Sequence, residues 1–92
     1  MLTKTKRASS KKSSYIYHVD AKYKGYDVNT DKAIISMAKA SGGKLEGSGY
    51  GMGGYRDISF LFKSRADATR FINKLKAKKI RRSGISNWSK YL

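Results

Sequence analysis

Residues 57–82, DISFLFKSRADATRFINKLKAKKIRR, decide the fold of this chain. Ile58, Phe60 and Phe62 alternate with smaller or polar residues, so one face of a strand is large and apolar. Ser64 stands three residues before Asp67, the spacing of a capping box. The hydroxyl accepts from an early helix N–H, and the carboxylate sits in the favourable first turn. Ala68, Phe71, Ile72 and Leu75 follow on one helical face, fit to cover the strand. Arg65, Arg70 and Lys74 fall on the other side of the helix. From Arg70 to Arg82 seven of thirteen residues are Lys or Arg and none is acidic.

Ninety-two residues suffice for one small domain with a modest core. The net charge of +15 sets up self-repulsion that a polyanionic partner relieves, so nucleic acid is the first candidate partner and an anionic membrane surface the second. The chain has no Cys, which excludes disulfides, thiolate zinc sites and Cys nucleophiles. No apolar run approaches the roughly 20 residues of a membrane span. The basic N-terminus is followed by no apolar stretch, so no secretory signal is expected; lacking acids and containing Ser and Arg, it fits an organelle transit peptide only loosely.

In chain order, residues 1–14 are basic and nearly free of apolar side chains, and are expected to form a disordered arm lying along phosphates. Residues 15–24 read as a strand, with Tyr15, Tyr17 and Val19 on one face and Ile16, His18 and Asp20 on the other. Thr30 or Asn29 is expected to cap a helix starting near Asp31, with Ile34, Ile35, Met37 and Ala38 on its apolar side and Gly42 and Gly43 at its end. Residues 44–49 make a weak second strand, and the glycines from Gly49 to Gly54 a mobile hairpin connection. A third strand over 55–63, a helix over 65–78 and a last strand over 80–87 follow, with Gly84 as a bulge that switches face. The order strand, helix, strand, strand, helix, strand predicts an α+β, ferredoxin-like βαββαβ domain over 15–92, with a four-stranded antiparallel sheet. Right-handed crossovers put both helices on one face of the sheet.

Phe60, Phe62, Asp67, Ala68, Phe71, Ile72 and Leu75 resemble the matching segment of RNA recognition motifs, over about a fifth of the chain. The resemblance implies RNA contact through aromatics on the open face of the third strand, stacking on bases. Counting back from Phe62, those positions hold Asp57 and Ser59, which do not stack. The first strand's counterpart is Tyr15 or Tyr17.

Gly49, Gly51 and Gly54 satisfy G-x-G-x-x-G, but a strand follows where a dinucleotide site needs a helix. The glycines with Tyr50, Met52 and Tyr55 among them instead suit a phosphate backbone and a stacked base, or simply a hairpin tip. Tyr23, Lys24 and Tyr26 add aromatic and basic groups near the first loop, and read as partial core ahead of a binding role. His18 with Asp20, Asp27, Glu46 or Asp57 is the only conceivable catalytic set, and a metal nuclease needs two or three convergent carboxylates.

The expected function is therefore non-enzymatic, cofactor-free and metal-free binding of nucleic acid through phosphates, RNA slightly ahead of DNA, in the cytoplasm or associated with a nucleoid or nucleus. Arg70, Lys74, Lys78, Lys79, Arg81 and Arg82 supply charge, Lys4, Lys6, Arg7, Lys11 and Lys12 extend the footprint, and Tyr17, Tyr50 and Tyr55 are candidate stackers. A place in a ribonucleoprotein fits the same residues. The main alternative is a protein–protein module, such as a virus-encoded protein that binds and alters an acidic host factor; the third is a metal-dependent nuclease. No membrane partner is expected, and base preference and oligomeric state are not encoded legibly.

Overall fold

A computed structural model describes residues 15–88 of the chain. The expected basic arm, Lys11 and Lys12 included, and residues 89–92 lie outside the described residues. The elements run β1 (Tyr17–Lys24), α1 (Val28–Ala40), β2 (Lys44–Tyr50), a single 3₁₀ turn (Met52–Gly54), β3 (Tyr55–Phe62), α2 (Arg65–Ala77), β4 (Arg81–Arg82) and β5 (Ser86–Asn87). The sheet order is β2-β3-β1-β4, every pairing is antiparallel, and β5 also pairs with β1.

The alternation in β3 does what its side chains dictate. Ile58, Phe60 and Phe62 are buried against Val19 and Ala21 of the neighbouring strand, and both helices close over them with Ile34, Ala38, Ala68, Phe71 and Leu75. Phe71 meets Phe60 edge-on at 5.0 Å and Phe62 at 5.4 Å. The register pairs Val19 with Phe60 and Ala21 with Ile58, so small residues of β1 face large ones of β3. A Cβ at Gly43 would run into the Phe62 ring, so the glycine there is a packing requirement.

Ser64 Oγ accepts from the Asp67 N–H at 3.1 Å, as the capping-box spacing predicts. The other helix starts earlier than expected. Asp27, not Thr30 or Asn29, is the N-cap, accepting from the Asn29 N–H at 3.3 Å and from the Thr30 hydroxyl at 2.7 Å. Three residues able to cap stand within four positions here; Asp27 has the extended backbone of a cap (φ −135°, ψ 116°), and Asn29 and Thr30 already lie inside the helix. At the far end Gly42 takes the left-handed conformation (φ 89°), and the Gly43 N–H returns to Ala38 O at 2.8 Å.

The single last strand expected over 80–87 is instead two short pieces. Arg82 pairs with Ala21 but Ser86 pairs with His18, a register one residue longer on the later strand. That extra residue switches the face, which lets Ile80 and Ile85 both pack on the core despite opposite parity. Among the described residues no helix is long and apolar enough to cross a membrane.

Candidate nucleic-acid interface

The face of the sheet away from the helices is largely engaged with itself. His18 Nε2 lies 3.0 Å from Asp20 Oδ1, and the Ser59 hydroxyl donates to the same oxygen at 2.6 Å. Trp88 stacks on His18 with centroids 3.9 Å apart, and the Lys22 ammonium stands 3.8 Å from Asp57. Asp57 and Ser59, the positions where RNA recognition motifs stack bases, are thus tied to Lys22 and Asp20. Among the described residues no three His, Asp or Glu side chains converge: Asp27 caps a helix and Glu46 sits at the irregularity between Leu45 and Gly47.

Positive charge stands at both ends of the sheet: Lys44, Lys63 and Arg65 surround Tyr15 and Tyr17 at one, and a longer run lies at the other. The strand ends Lys24 and Tyr50, the strand starts Tyr55 and Arg81, the last turn of α2 and the first turn of α1 all meet there. This brings Lys78, Lys79, Arg81 and Arg82 together with Tyr55, adds Lys22 and Lys24, and leaves Tyr50 at the same end but on the other edge of the sheet. The Arg81 guanidinium lies over the Tyr55 ring at 5.3 Å and donates to its hydroxyl at 3.1 Å. Lys79 is the one non-glycine described residue with positive φ (61°); its N–H donates to Lys76 O and that of Ile80 to Leu75 O, both at 2.9 Å. This left-handed step ends α2 and turns the chain into β4.

The remaining expected residues are dispersed. Arg70 pairs with Asp67, whose carboxylate lies beside Gly42 at the end of α1. Arg65 lies over the Tyr17 ring at 5.4 Å, at the opposite end of the sheet from Tyr50 and Tyr55. Tyr17 packs against the core on the helix side of β1. Lys74, in the last turn of α2, is half-buried. The basic face expected of this helix is therefore split between two flanks and its C-terminal turn.

Sequence reading missed a second cluster at the same end. Arg56 clasps Asp31, with Nε at 3.0 Å from Oδ2 and a terminal nitrogen at 2.7 Å from the same oxygen. Tyr23 donates to Asp31 Oδ1 at 2.5 Å. Hydrogen bonds from the Arg56 guanidinium hold the Asp31 carboxyl below its usual range against the opposing effect of burial. Burial, helped by the bond to Asp31, pushes the Tyr23 phenol up. The Tyr26 ring covers the guanidinium at 4.4 Å, and Tyr50 lies beside Tyr26 with centroids 6.1 Å apart. One signal was available: Arg56 shares the parity of Ile58, Phe60 and Phe62, so a charge on the core side called for a buried acid.

Comparison of the chain with protein-family models, with curated proteins and with solved structures finds no match in any of the three.

Proposed function

We propose that the chain is a small, non-enzymatic nucleic-acid-binding protein that grips phosphates at the end of the sheet where α2 runs into β4. RNA is favoured slightly over DNA. The observation that carries this reading is uncompensated charge. Among the described Lys and Arg residues only Lys22, Arg56 and Arg70 pair with a carboxylate. Lys78, Lys79, Arg81 and Arg82 stand together without one, and all four are exposed. A run of cations that the protein does not neutralise is stabilised by a polyanion, with counterion release supplying the affinity.

The order β2-β3-β1-β4 with its two crossover helices supports a ferredoxin-like reading of the fold. Within that fold the binding surface proposed here is the basic end and not the sheet face, where acids and hydroxyls are already engaged. The test is the fourfold variant Lys78→Glu, Lys79→Glu, Arg81→Glu, Arg82→Glu, read by fluorescence anisotropy against single-stranded RNA, duplex RNA and duplex DNA. Binding is expected to weaken by roughly 1 kcal/mol per lost phosphate contact at low salt, with the thermal melt preserved. Unchanged affinity would move the site elsewhere. A wild-type protein that binds no nucleic acid at the lowest salt would turn the charge towards an acidic protein partner.

A further inference from the structure

The corner where the 25–27 loop meets the Met52–Gly54 turn exposes two tyrosines, Tyr26 at 60% and Tyr50 at 56%. Neither ring is needed by the core, yet both are held. The Gly25 N–H donates to Gly54 O at 2.7 Å, tying the two connections together. The Tyr23 hydroxyl, whose one proton goes to Asp31, accepts from the Asp27 N–H at 3.0 Å, which pins the loop just beyond Tyr26. Beneath Tyr26 lies the Arg56 guanidinium, with only 12% of its side chain exposed and its charge cancelled by Asp31. It also reaches Gly49 O at 3.4 Å, next to Tyr50.

A buried ion pair of this kind adds little net stability over apolar packing. What it does provide is direction: a planar group fixed by Asp31 cannot tilt, so the aromatic ring above it is oriented too. Neutralised by Asp31, Arg56 is no phosphate ligand. Exposed Lys24 and Lys32, which no carboxylate neutralises among the described residues, stand on the neighbouring strand end and helix turn.

We infer that Tyr26 and Tyr50 form a preorganised stacking platform for unpaired nucleobases, with Arg56 as its positioning residue, so that the preferred ligand is a single strand. This deepens the nucleic-acid reading above and rests on it. The two rings already touch, so a base is received on the outer surface of the pair, not between them. Base–aromatic stacking tolerates any sequence but needs bases that a duplex keeps inside its own stack. Cations beside exposed rings are the pairing that single-strand sites use.

The test measures single-stranded RNA carrying 2-aminopurine, and duplex RNA, against wild type, Tyr26→Ala, Tyr50→Ala, Tyr26→Phe and Arg56→Lys. Each tyrosine-to-alanine change is expected to lower single-strand affinity about fivefold to a hundredfold, reduce quenching of the 2-aminopurine, and leave duplex affinity and the thermal melt unchanged. Tyr26→Phe retains the wild-type values, and Arg56→Lys loses quenching while keeping its charge. Wild-type affinity and quenching in both alanine variants would overturn the platform and leave the phosphate reading standing. Equal losses for single strand and duplex would also overturn it. Failure of the wild type to bind any strand would remove the reading beneath it.

Discussion

Asp31 and Arg56 show how one register position creates an obligation. Strand parity points Arg56 at the core side, and a guanidinium taken out of water demands a carboxylate with well-placed hydrogen bonds. Asp31 meets that demand from the first turn of α1, where its charge also suits the helix dipole. Its folded-state pKa lies below the ordinary value. The pair therefore contributes fully above about pH 4, and that contribution is lost as pH falls through the lowered folded value. Thermal melts from pH 7 to pH 2 should show a fall in Tm on the acid side that is shallower in Asp31→Asn. The variant itself should be less stable at pH 7, by up to about 3–5 kcal/mol if the guanidinium is left uncompensated. Lys79 carries the opposite lesson. A lysine in the left-handed region costs about 1 kcal/mol that glycine avoids. Lys79→Gly should raise Tm by several degrees, measured by circular dichroism, while weakening phosphate binding.

At the scale of elements, what could be read in the sequence was whatever a single period encodes. Ile58, Phe60 and Phe62 announce β3, and the Ser64–Asp67 spacing with Ala68, Phe71 and Leu75 announces α2, because each signal is local and redundant. The start of α1 was misread because Asp27, Asn29 and Thr30 are all competent caps and only the actual hydrogen bonds rank them. The last strand was read as one piece because parity alone cannot show that the pairing with β1 breaks between Arg82 and Ser86. The junction of β3 and α2 is the part whose loss should matter most. Phe71 is fully buried and touches two phenylalanines of β3, so Phe71→Ala should cost about 3–5 kcal/mol by urea denaturation. In a domain this small that approaches the whole stability. Retention of most of the wild-type urea midpoint would contradict the central role given to this contact.

For the molecule as a whole, charge and shape separate into different regions. The helix-covered face holds the core, the opposite face holds polar side chains that contact one another, and one end carries the run Lys78, Lys79, Arg81 and Arg82, with exposed Tyr26 and Tyr50 at the same end. The sequence run from Arg70 to Arg82 marked that charge, but not its division. Folding sends Arg70 to the side of Asp67 and Gly42, and keeps Lys78, Lys79, Arg81 and Arg82 with Tyr55. Tyr26 and Arg56 were illegible as a unit because their contact closes a long loop of chain. Phosphate-driven binding is tested first by the anisotropy of labelled single-stranded RNA across about 50 to 300 mM salt. Four to six phosphate contacts at the basic end predict that log affinity falls linearly with log salt, with a slope of about −3 to −4. An affinity that stays flat across that range, or no binding at its lower end, would contradict a phosphate-driven function.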